Sequence, residues 1–77
     1  MTIRIYTTPH CGNCLAAKDF FTDRRLEFEE VNVEGDLGAL RKMIRLSGAR
    51  SVPVIQMGEH VVVGFDRARL EELVVHE

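Results

Sequence analysis

Polar and apolar residues alternate from Ile3 to Thr7 and the run halts at Pro9, the pattern of a first β-strand. The period then changes. From about Asn13 to Arg25 the apolar positions Cys14, Ala17, Phe20 and Phe21 fall on one stripe of an expected helix. A second strand is expected over Glu27 to Val33, carrying Phe28, Val31 and Val33, although its alternation is imperfect. A long helix between two strands suggests a right-handed parallel crossover. Asp36 is placed to N-cap a second helix running to about Ser47, with Leu37, Leu40, Met43 and Ile44 as its buried face and Gly48 as its stop. Val54–Met57 and His60–Val63 read as a hairpin around Gly58-Glu59. Asp66 then caps a third helix with Leu70, Leu73 and Val74 on its inner face. The resulting order, β-α-β-α-β-β-α, is that of an α/β fold.

Length and composition narrow the chemistry. A chain of 77 residues, 45% of them hydrophobic, is expected to form one domain, residues 1–77, around a small core. Cores below roughly 80 residues are marginal, and many small secreted domains compensate with several disulfides. This chain has only two cysteines, and the short loop between them would cross-link no distant segments. That points away from a structural disulfide framework and toward cytosolic redox or metal chemistry. Met1 to Pro9 has no apolar signal-peptide core, and no run approaches the roughly 18 apolar residues of a membrane span. The expectation is a cytoplasmic monomer without a membrane partner. Ten basic and twelve acidic residues spread along the chain leave a net charge of −2, without the basic footprint of nucleic-acid binding.

The two cysteines, Cys11 and Cys14, lie just past the first strand and at the front of the first helix. First-turn N–H groups lack intrahelical partners and carry partial positive charge, so a thiolate at Cys11 would be stabilised there. Cys11 is therefore the expected nucleophile. Cys14, one turn deeper and on the apolar stripe, should point inward and lie close enough to close a disulfide with Cys11. Zinc ligation is the competing reading, but it wants three or four protein ligands. Only His10 is nearby, and positions 10, 11 and 14 would crowd the metal, so no metal ligands are assigned. A protonated His10 beside Cys11 would further favour the thiolate. Gly12 and Asn13 would set the poise of the pair, glycine letting the turn flex and expose N–H groups toward the sulfur.

A strand ending in Tyr6-Thr7, then Cys11-Gly12-Asn13-Cys14 opening a helix, then Ser51-Val52-Pro53-Val54, then Val63-Gly64-Phe65-Asp66 before the last helix resembles the glutaredoxins. The resemblance spans almost the whole chain. It extends to the small bacterial and archaeal glutaredoxin-like proteins, including the redoxins that feed electrons to ribonucleotide reductase, whose Gly-Phe pair is similar to Gly64-Phe65. It implies a thioredoxin-like fold, a four-stranded mixed sheet with helices on both faces and the active site at the start of the first helix. It also implies a cis Val52–Pro53 bond against the cysteines, with the Val52 backbone free to pair strand-fashion with a substrate peptide or glutathione. Gly64, Phe65 and Asp66 would take the γ-glutamyl carboxylate of glutathione at a helix N-terminus. Thr8 stands where many relatives carry Lys or Arg, Val63 where many have glycine, and Arg67 where many have aspartate.

The function so implied is thiol-disulfide oxidoreduction of protein or low-molecular-weight disulfides by dithiol exchange through Cys11 and Cys14. No cofactor would be bound, and glutathione or a thioredoxin-reductase-like flavoprotein would be the external electron donor. Disulfide-containing proteins, ribonucleotide reductase among them, would be the partners. Two alternatives belong to other classes: a non-catalytic thioredoxin-fold binding module, and a metal-handling protein that uses the C-x-x-C pair.

Overall fold

Alternation along β1 (Ile3–Thr7) sends Ile3 and Ile5 to one face of the sheet and Tyr6 to the other, and each face is covered by helix. The computed structural model describes residues 2–75. Its further elements are α1 (Gly12–Asp23), β2 (Glu29–Asn32), α2 (Leu37–Ser47), β3 (Val54–Met57), β4 (His60–Val63) and α3 (Arg67–Val75). The strands form one sheet in the order β2-β1-β3-β4, with β1 and β2 parallel and the other two pairings antiparallel. This is the four-stranded mixed sheet of a thioredoxin-like fold.

Two buried clusters separate the layers. Ala17, Phe20 and Phe21 of α1 and Leu70 of α3 pack on Ile3, Ile5, Ile55, Met57 and Val62. On the opposite face Met43 of α2 packs with Tyr6, Val33 and Val54. The uneven pattern of the second strand follows from this division. Phe28 packs with the α1 side, where its ring centroid lies 6.1 Å from that of Phe21, whereas Val31 and Val33 pack with the α2 side.

The structure corrects three boundaries or burials. β2 is shorter than Glu27 to Val33, because ladder pairing with β1 runs only from Arg4↔Glu29 to Thr7↔Asn32. α1 ends at Asp23 rather than Arg25, since Arg25 takes a left-handed φ of 58° and the Leu26 N–H turns back to Phe21 O at 3.0 Å. Leu37 is 59% exposed, not part of the buried face of α2. It lies six residues before the buried Met43, hence about 120° around the helix from it at 3.6 residues per turn. Asp36 caps this helix through Ala39 N–H at 3.0 Å, and Gly48, at a φ of 70°, ends it as expected.

Candidate active site

Cys11 is the N-cap of α1, with extended backbone at φ −120° and ψ 111°, and its Sγ accepts the Cys14 N–H at 3.2 Å. A sulfur thus does what a serine or aspartate oxygen usually does at this position, and the positive end of the helix points at it. Across the site the Cys11 thiol donates to Val52 O at 3.8 Å. The Val52–Pro53 bond is cis, as the resemblance implied. Pro53 O accepts the Gly64 N–H at 2.7 Å, with Gly64 at a φ of 80° that a side chain would strain. Cys11, Val52, Pro53 and Gly64 are therefore joined in one continuous line from α1 to the β4–α3 turn.

Cys14 lies beneath that line. It is 1% exposed, and its thiol is pushed up to about 11, chiefly by burial and further by the hydrogen bond and charge of Cys11. The Thr8 backbone N–H and the Lys18 charge act in the opposite direction. Both cysteines are free thiols, one half-buried and one sealed. The arrangement offers one accessible sulfur to a partner and holds a second within reach of it.

The other expected residues divide into two groups. Phe65 is half-buried, its ring edge-on to Phe20 with centroids 6.2 Å apart, and the Asp66 carboxylate caps α3 by accepting Arg69 N–H at 3.1 Å. His10, Gly12 and Asn13 are exposed at the rim, and His10 makes no hydrogen bond to Cys11 among the described residues. His10 instead lines a cleft of about 370 Å³ with Thr8, Val33, Glu34, Leu40, Arg50 and Val52. Tyr6, 1% exposed, belongs to the core under α2. Sequence reasoning missed a group beside Cys14. The Glu30 carboxylate of β2 accepts hydrogen bonds from the Lys18 ammonium and from the buried Thr7 hydroxyl, each at 2.9 Å, and both partners hold its pKa below the usual range. The only trace in the sequence was the four-residue step from Cys14 to Lys18.

Residues 3–62 match the family model for glutaredoxin. The chain belongs to the glutaredoxin family. It is 35% identical over 72 residues to a glutaredoxin-like 8.6 kDa protein of the rubredoxin operon of Clostridium pasteurianum, spanning 94% of this chain and 96% of that one. It is 38% identical over 65 residues to the glutaredoxin-like protein NrdH of Salmonella typhimurium, spanning 84% of this chain and 79% of that one. Among solved structures, the glutaredoxin-like NrdH-redoxin of Escherichia coli superposes with a TM-score of 0.83 at 33% identity, covering 95% of each chain. Membership carries thiol-disulfide oxidoreductase chemistry at the general level of the glutaredoxin family. Among the described residues no group of three or more His, Cys, Asp or Glu side chains is arranged to hold a metal ion. No helix among them is long and apolar enough to cross a membrane.

Proposed function

We propose that this glutaredoxin reduces disulfides by dithiol exchange, with Cys11 as nucleophile and Cys14 as resolving thiol. The observation that carries the reading is the asymmetry of the pair: Cys11 caps the helix half-exposed, while Cys14 is 1% exposed and donates its N–H to the Cys11 sulfur at 3.2 Å. Cys11 thiolate attacks one sulfur of the substrate disulfide, a Cys11–substrate bond forms, and the other substrate sulfur leaves as a thiolate and takes up a proton. Cys14 then gives up its proton to solvent and attacks Cys11 Sγ. The Cys11–Cys14 bond forms as the remaining substrate sulfur leaves, so two electrons pass from the protein to the substrate.

Val52 and Pro53 give the substrate its track. The Cys11 sulfur lies 3.8 Å from Val52 O, so a group bonded to Cys11 runs along the Val52 backbone, which pairs with a peptide or with glutathione. His10, Gly12 and Asn13 form the rim of this track, and Gly64, Phe65 and Asp66 its far end. Because the Gly64 N–H already donates to Pro53 O, a carboxylate arriving there draws on the N–H groups beyond it. The substrates are protein or low-molecular-weight disulfides in the cytoplasm, with ribonucleotide reductase among the protein partners that the resemblance to the small redoxins brings into this reading.

A coupled NADPH assay tests the reading and names the electron donor. Wild-type protein is expected to turn over disulfide substrate with either glutathione plus its reductase or thioredoxin reductase, and Cys11→Ser to be inactive with both. Turnover by Cys11→Ser would overturn it.

A further inference from the structure

We infer that Lys18, held by Glu30 and Thr7, is a positioning residue for the second half-reaction, in which Cys14 resolves the mixed disulfide. The inference rests on the dithiol reading above. Lys18 follows Cys14 by four residues, so the two side chains lie one above the other on the same side of α1. The ammonium is tethered on its outer side. Its Nζ donates to Glu30 Oε2 at 2.9 Å, and the same oxygen accepts the hydroxyl of Thr7, which is 1% exposed and sits on β1 next to the Thr8 N–H that faces Cys14. Three elements thereby converge on one cation: α1 supplies it, β2 the counter-charge, and β1 the hydroxyl that fixes the counter-charge.

The chemistry of resolution says why a cation belongs there. Cys14 is sealed from water and must still become a thiolate before it can attack. Once Cys11 is bonded to substrate it no longer carries charge, so the burden on Cys14 is its burial. The groups that offset that burial are the Thr8 N–H and the Lys18 ammonium. Glu30, paired with the ammonium, opposes the cation and sets how much of its field is felt. The proton leaves to solvent, and the departing substrate thiolate takes one up, so the charge balance is unchanged over the step.

Removing the cation and removing its counter-charge should therefore act with opposite sign. That signature separates a field on Cys14 from a merely structural clamp, whose loss would act one way for both. The experiment is stopped-flow reaction of the reduced protein with dithiobis-nitrobenzoate, a chromogenic aryl disulfide. Attack by Cys11 releases the first aryl thiolate, and resolution by Cys14 releases the second. In Lys18→Met the first release is expected to stay within about twofold of wild type. The second slows about three- to fourfold for each pH unit by which its midpoint rises, because lost thiolate outweighs the gain in intrinsic nucleophilicity. Lys18→Arg restores the second phase, and Glu30→Gln shifts its midpoint downward. A second phase with the same rate and pH midpoint in Lys18→Met as in wild type would overturn the inference, as would shifts of one sign in both variants. Absence of the second release from wild type itself would instead sink the dithiol reading on which the inference stands.

Discussion

Cys14 is 1% exposed and its thiol is pushed up to about 11, whereas Cys11 is half-buried at the mouth of the site. Iodoacetamide added to reduced protein at neutral pH is therefore expected to label Cys11 alone, with Cys14 reached only as the pH climbs toward 11 or the chain unfolds. Peptide mapping by mass spectrometry checks this, and comparable early labelling of both sulfurs would contradict it. The contrast between the two sulfurs was legible in the sequence, since Cys14 falls on the stripe of Ala17, Phe20 and Phe21 and Cys11 does not. Val52-Pro53 was legible only through resemblance, because nothing local in a Val-Pro pair specifies a cis bond. Thr7 was legible as a strand residue and no more. What it does depends on Glu30, twenty-three positions away, and no periodic pattern reports such a pairing.

At the scale of elements, α1 and α3 are pinned together at the end remote from the cysteines. The Arg24 guanidinium lies 3.6 Å over the Phe20 ring, donates to Phe20 O at 3.2 Å, and reaches Glu71 of α3 at 3.0 Å. Arg67 shares the same carboxylate at 3.2 Å, which offsets its unfavourable place in the first turn of α3. Arg24→Ala is expected to destabilise the protein by about 1–2 kcal/mol in urea denaturation, through the lost ring contact and the inter-helix bond. Arg69→Gln should cost under about 0.5 kcal/mol, because its pair with Glu72 is exposed and lies within one helix. Costs that are alike for the two would contradict the pinning role. On α2, Met43→Ala is expected to cost about 2–5 kcal/mol and Leu37→Gln under about 0.5, since one is buried and the other 59% exposed. The sequence led to Leu37 as a core residue because apolar character and spacing to Leu40 and Ile44 agree with a stripe. The sheet, however, meets the helix along Ala39, Leu40 and Met43, and which side of a stripe meets the sheet is settled by packing.

For the whole molecule, the buried thiol ties stability to pH. The folded chain keeps the Cys14 proton up to about 11, while an unfolded cysteine loses it near 9.0. Folding is thus favoured by this group below about 9 and the advantage is lost as pH rises from there through 11, because the unfolded state then binds fewer protons. Reduced wild-type protein should show a melting temperature that falls more steeply over that window than the Cys14→Ala variant, and parallel curves would contradict it. The order of elements along the chain was readable in the hydrophobic pattern and the mixed sheet with helices on both faces through the resemblance, whereas the strand order β2-β1-β3-β4 and the line from Cys11 through Val52 and Pro53 to Gly64 exist only once distant segments meet. The division of labour between the two sulfurs is the centre of the account. Its most direct test is mass spectrometry of the single-cysteine variants after mixing with a protein disulfide substrate. Cys14→Ser is expected to hold a substrate adduct on Cys11 that persists until an external thiol releases it, and Cys11→Ser to hold none. An adduct trapped on Cys14 in Cys11→Ser would contradict the assignment.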